Sequence, residues 1–282
     1  MSNSTFSYNQ AVGGSNATAL FGKGHVGDGG GGAIHTITDA VTKITNSTFD
    51  HNLAQGGSNN TGGPNVFIVG WGHGGAITND GWPPEGFSGS FTGSGLTFTN
   101  NQAIGGAGNT GGPLAGDGIG GAMDVWVGGV GTLSNSNIQN NQAIGGAGVV
   151  GQNGADGLGG GFANLLGTTF TVSNCTITGN QAVGGVGGSG GNGGNGFGGG
   201  LYNQGDSLFG TSSLTVTGST VTGNSATGGA AGSGGSAGQG IGGGVYFAAG
   251  GTACLDLFTS LNITGNTAST SNNDVFGVFT IC

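Results

Sequence analysis

Three aspartates stand at one place in a recurring D-G-x-G-G pattern: Asp28, Asp117 and Asp156. Carboxylates brought together from successive repeats could do two kinds of chemistry. A pair at suitable separation could hydrolyse a glycosidic bond, and a set joined by backbone oxygens of turns could hold calcium. Other repeats carry Trp71, Asn195 or Gln239 at the same place, none of which supplies a carboxylate. The column therefore reads as a tolerant turn position, with no catalytic residues and no cofactor expected, calcium being the one ion these aspartates could hold. The four histidines, His25, His35, His51 and His73, crowd into the first quarter of the chain without the tight spacing of metal ligands. They are expected to be solvated, and no metal site is expected from them. Matches to G-x-G-x-x-G are unavoidable with 75 glycines in 282 residues and carry no phosphate-loop meaning.

The elements that must position these residues are more regular than the residues themselves. An N-x-A element recurs at Asn9, Asn52, Asn101, Asn141, Asn180, Asn224 and Asn266. Three residues before each Asn stands Phe6, Phe49, Phe98, Ile138, Ile177, Val221 or Ile263, and eight before it stand Ile44, Leu133, Val172, Val216 and Phe258 in five of the repeats. One residue of each type per repeat, at constant offset, is what the turns of a solenoid need to stack like on like. The Asn column is expected to be a structural ladder of side-chain amides at a bend, and the apolar columns the core.

Just before the Asn column lies T-x-T, in Thr97 and Thr99, Thr176 and Thr178, and Thr220 and Thr222. Residues two apart in a strand share a face, so these pairs are expected to form two outward columns. Such an array resembles the faces of β-solenoid ice-binding proteins, which makes ice binding one functional alternative. Asp50, Asn137 and Gln139 interrupt it.

Between the Asn elements run glycine-rich stretches such as GGVGGSGGNGGNGFGGG at residues 184–200. The stretches from Gly13 to Ala33 and from Gly56 to Ala76 are three residues longer than those from Gly105 to Ala122, Gly145 to Phe162, Gly184 to Leu201 and Gly228 to Val245. Glycine itself often recurs every third position, as at Gly184, Gly187, Gly190, Gly193 and Gly196. A length change of three in a three-periodic segment suits a helix of polyproline-II geometry, whose backbone N–H and C=O groups all point outward. Stacked arms could bond laterally as a polyglycine-II layer, because glycine alone tolerates so close an approach; a flexible loop is the alternative. The remaining residues of each repeat suit three short strands. The fold expected is therefore all-β, a right-handed parallel β-helix of about seven coils carrying polyglycine-II arms, as one domain over residues 1–282.

The formal net charge is −9, from eleven acids against Lys23 and Lys43, with no arginine. Nucleic acid is a poor partner for such a surface, and no apolar run is long enough to span a membrane. The start MSNSTFSYNQ lacks the segments of a signal peptide, implying a trimmed start or another export route. Cys254 lies nine residues after Val245 and Cys282 seven after Val275, the equivalent start of the last strand, so adjacent coils could bring them into disulfide range in an oxidising compartment. Cys175 is expected to be a buried thiol.

The pairing of GGAI or GGAM (Gly31 to Ile34, Gly74 to Ile77, Gly120 to Met123) with FxxN (Phe6 to Asn9, Phe49 to Asn52, Phe98 to Asn101) resembles the repeats of the chlamydial polymorphic outer-membrane proteins. More broadly, it is similar to right-handed β-helix proteins of bacterial surfaces. The resemblance implies adhesion at the cell surface. Neither chain end shows a polar cap in the sequence, so the leading expectation is a non-enzymatic extracellular structural protein that stacks on itself head to tail as a homopolymeric fibre. A cell-surface adhesin or passenger fragment is the alternative. It would bind a cell-surface or carbohydrate ligand, with Trp82 and Phe87 in the excursion DGWPPEGFSGSF as its contact loop.

Overall fold

Every repeat threads its alternating apolar residues through short strands, and each strand lies parallel on its equivalent in the next repeat. The computed structural model describes residues 1–19, 24–81, 88–112, 114–206 and 209–282. Around Asn141 the strands are Val130–Ser134, Asn137–Gln139, Gln142–Ile144, Gly157–Leu158 and Phe162–Leu165. Their equivalents form four sheets of seven strands and one of six, giving a parallel β-helix. Five strand segments thus replace the three expected. The arm returns through a two-residue strand, and Gly159, at φ +67°, then redirects the backbone before Phe162.

Stacking is residue on residue. Phe6, Phe49, Phe98, Ile138, Ile177, Val221 and Ile263 follow one another in register. The Phe6 and Phe49 rings lie 4.8 Å apart and those of Phe49 and Phe98 5.0 Å, both stacked. Ile44, Leu133, Val172 and Val216 make the second inward column with Gly93 among them. After Val216 the column continues with Leu255, not Phe258, and Ile281 pairs beyond it. Asp256 caps a short helix, Leu257–Leu261, that bulges from this bend and leaves Phe258 51% exposed.

The strands Ile77–Asp80, Met123–Trp126 and Phe162–Leu165 are buried on both faces. Their inner side chains join the main core. Trp126 and Leu165 instead join Trp71, Ile119, Leu158 and Tyr202 in a second cluster.

The glycine arms are ordered by backbone bonds. Gly184, Gly187, Gly190, Gly193 and Gly196 donate to the carbonyls of Thr227, Ala230, Ser233, Ser236 and Gln239 in the next arm, at 2.8–2.9 Å. The intervening Gly185 and Gly194 donate to Ala155 and Gly185. Bonds upward at every third residue and sideways between them are what a three-residue-per-turn helix requires. A Cβ on Gly185 would lie 2.0 Å from the Gly146 carbonyl oxygen, so only glycine fits. The first two arms, with their extra residues, pair instead as short strands, Thr18–Ala19 on Thr61–Gly62 and His25–Val26 on Ile68–Val69. Val26, Val66 and Val69 give them a small core of their own.

Candidate functional site

The bend at the Asn column is built from two residue types in sequence. The residue before each ladder Asn turns the chain through the left-handed region: Tyr8, His51, Asn100 and Asn140 at φ 54–57°, then Gly179, Gly223 and Gly265. This reversal drives the following Asn inward. Each Nδ2 donates to the Oδ1 of the next ladder Asn at 2.8–2.9 Å, from Asn9 to Asn266. The same Oδ1 accepts the backbone N–H of the Asn below. From Asn52 onward the second Nδ2 proton goes to a carbonyl of the preceding repeat, that of the apolar residue three before its ladder Asn, such as Phe6 or Phe49. The column is saturated and serves the fold. It ends on a carboxylate: Asp274 Oδ1 accepts from Asn266 N at 3.0 Å and from Nδ2 at 2.9 Å. The expectation that neither end carries a polar cap is therefore corrected at this edge.

A second ladder occupies the bend five residues earlier. Ser47, Ser136 and Ser219 accept from the backbone N–H of Ser4, Leu96 and Cys175, and each donates to the carbonyl two residues before it. Thr259 accepts from Ser219 N in the last turn. Cys175 stands in this column, with its thiol 3.2 Å from the Ser173 carbonyl. Burial pushes that thiol up to about 11, past the lowering effect of its backbone hydrogen bonds. The constant offset from the Asn column was the signal in the sequence that could have revealed this ladder.

Outside this bend lies the candidate surface. Thr5, Thr48, Thr97, Asn137, Thr176 and Thr220 form one column in register, and Ser7, Asp50, Thr99, Gln139, Thr178 and Thr222 the other. Sequence reading missed that the adjoining sheet extends the face, with Thr92, Thr132, Thr171 and Thr215 in register. On the other flank Gln102, Gln142 and Gln181 join their amides at 2.8 and 3.1 Å. Together with Gln10, Tyr8, His51, Asn100 and Asn140 they line an open groove of about 510 Å³ along the solenoid axis. The Tyr8 and His51 rings are stacked at 5.0 Å at one end of it. Asp50 holds His51 Nδ1 at 2.8 Å. Burial works to raise the Asp50 pKa, but hydrogen bonds from Thr99, His51 and Asn100 outweigh it and hold the carboxyl below its ordinary value. The groove can present donors and acceptors at the strand repeat of about 4.8 Å.

The most enzyme-like constellation is elsewhere and is buried. His73, 1% exposed, places Nδ1 3.2 Å from Asp124 and Nε2 3.8 Å from Asp28. Thr78 Oγ1 donates to the other Asp124 oxygen at 2.7 Å. The edges of Trp71 and Trp126 close over the ring at 6.2 and 5.4 Å. Burial alone would lower the His73 pKa; the two carboxylates reverse this and raise it to about 10. Asp28, which burial would raise, is held well below the carboxylate range by His25 and His73. A solvated His73 was expected, so this is a correction: the adjacent coil brings Asp124 beside it, and an ion pair compensates burial. His25, His35 and His51 are exposed, as expected.

Among the described residues no group of three or more His, Cys, Asp or Glu could hold a metal ion. Asp28, Asp117 and Asp156 do occupy one column, but Asp28 is engaged by histidines while Asp117 and Asp156 are successive rungs. Cys254 and Cys282 are bonded, with Cα atoms 5.7 Å apart, and Cys175 is free and buried. Trp82 and Phe87 lie outside the described residues. No helix among the described residues is long and apolar enough to cross a membrane. Comparison of the chain with protein-family models, curated proteins and solved structures finds no match.

Proposed function

We propose that the chain is a non-enzymatic structural protein of the cell exterior, a stiff β-solenoid displayed at a surface in the manner of an adhesin or passenger segment. The observation that carries this reading is how the side chains are apportioned. Inward positions are used by ladders and apolar stacks, while outward ones form hydroxyl and amide columns in register along a polar groove. The Cys254–Cys282 bond suits an oxidising compartment. The resemblance of the GGAI and FxxN elements to chlamydial polymorphic outer-membrane repeats points toward adhesion as well. A hydroxyl-rich ligand, such as a cell-surface carbohydrate, fits the amides of Gln102, Gln142 and Gln181.

Head-to-tail assembly into a fibre is the second reading. The Asn ladder favours it, because each rung is a template for an identical next one. Asp274 weighs against it, since it already takes the acceptor position that a following subunit would supply.

Sizing chromatography with negative-stain electron microscopy of the same sample tests the two. Dispersed short rods support display. Long unbranched fibres of uniform width would replace it with self-assembly, and inhibition of ice recrystallisation by dispersed rods would replace it with ice binding by the threonine face.

A further inference from the structure

In the turn column beneath the arms, two carboxylates sit on adjacent rungs with no basic side chain among the described residues paired to them. Asp117 is 4% exposed. Its Oδ1 accepts the backbone N–H of Asp156 at 2.9 Å, and its Oδ2 is buried without a hydrogen-bond partner. Asp156 turns one oxygen upward, where it accepts from Asn195 N and, at 3.1 Å, from Asn195 Nδ2. Asp117 and Asp156 are among the residues lining a cavity of about 250 Å³, with Asn153, Leu114, Ala115, Gly154 and Ala155. Leaving a buried carboxylate oxygen unpaired is costly, so the charge here must be answered by a proton or by a cation.

We infer that this cavity is a binding site for one calcium ion, held by Asp117 Oδ2, Asp156 and neutral oxygens of the arm. The donors are all oxygen, the class that hard divalent cations select, with no imidazole or thiolate to favour zinc. Calcium accepts six to eight oxygens in irregular geometry, whereas magnesium demands a near-ideal octahedron that an arm of stacked glycine helices does not supply. Two carboxylates neutralise the ion's charge. Without it, burial and then the Asp156 charge push the Asp117 carboxyl well above its ordinary value, and burial raises Asp156 as well. Ion binding therefore competes with a proton on Asp117.

The test is calorimetric and thermal titration of chelator-stripped protein with calcium chloride. The expected result is saturable binding of one ion per chain that raises the melting temperature. Its apparent affinity should climb by up to about tenfold per pH unit while Asp117 must shed a proton. Asp117→Asn keeps the acceptor for Asp156 N–H and removes the charge; it should lose the calcium-dependent shift while retaining the far-ultraviolet circular dichroism of the parent. Asp156→Asn should behave likewise, and it decides the matter if the first variant does not fold. Absence of binding to the parent, an equal shift from magnesium, or a full shift in a folded Asp117→Asn variant would each overturn the proposal.

Discussion

Asn266 gives its side-chain amide proton to Asp274 Oδ1 at 2.9 Å, the same bond at the same length that Asn224 gives to Asn266. A carboxylate eight residues downstream thus stands in for the asparagine of a further repeat. Replacing it by alanine orphans two donors of Asn266, each costing about 1–3 kcal/mol if left unsatisfied. Asp274→Ala should lower the urea midpoint and, by exposing a templating rung, increase self-association on sizing chromatography. Asp274→Asn should do neither. A variant with unchanged stability and unchanged size would show that the cap has no role.

Position along the ladder should set the cost of breaking it. Asn141 is buried, accepts from Asn101 N and Nδ2, and donates to Asn180. Asn9 is exposed, and no ladder Asn among the described residues donates to it. Asn141→Ala should therefore cost several times more than Asn9→Ala in denaturant unfolding, with the former in the range of about 2–6 kcal/mol from two orphaned donors. Equal costs would mean that the amide bonds contribute little beyond packing.

Glycine in the arms should be replaceable only where nothing approaches it. Gly185→Ala places a Cβ 2.0 Å from the Gly146 carbonyl oxygen, whereas a Cβ at Gly14, whose φ is ordinary, meets nothing within 4 Å. The first substitution should loosen the arm layer, read as faster amide exchange at Gly184–Gly188 and Gly229 together with a lower melting temperature. The second should be neutral or stabilise by about 0.4–1 kcal/mol through the unfolded chain.

The buried imidazolium sets a pH dependence with a definite sign. The folded His73 pKa, about 10, lies above the unfolded value of 6.5. Its stabilisation is therefore full below about pH 6.5 and lost as pH rises through about 10. Asp28 works in the opposite sense: its carboxyl is held below 3.8, so its contribution is present above that value and lost on acidification. The melting temperature should fall between pH 7 and 10 in the parent. In His73→Gln that alkaline decline should be much weaker, from a lower starting stability because Asp124 loses its partner.

The repeat architecture was legible in the sequence because stacking demands it locally. A ladder of amides or phenyl rings requires the same residue type at the same offset in every turn, so Asn9 to Asn266 and Phe6 to Ile263 announce themselves as columns. The later arms were legible for a related reason: glycine at every third position from Gly184 to Gly196 carries the period of a three-residue helix, whereas the three extra residues of the first two arms go into short strands instead. The Ser47, Ser136 and Ser219 ladder had the same signal, obscured by Leu96 and Cys175 in its column.

Other relationships depended on which neighbour each coil placed beside a residue that does not repeat. His73 meets Asp124 across 51 residues, and both positions are filled by apolar residues in later repeats, Leu158 and Ala163 among them. Leu255 takes the core place that spacing gave to Phe258 because Asp256 starts a helix there. Asp117 and Asp156 become a pair only through the stacking of their turns. By itself the sequence determined that this chain stacks and which columns line its interior, since periodicity is a one-dimensional property. The tertiary structure alone decided the charge pairs, the cap and the cavity, because these arise from contacts between unlike residues that no repeat encodes.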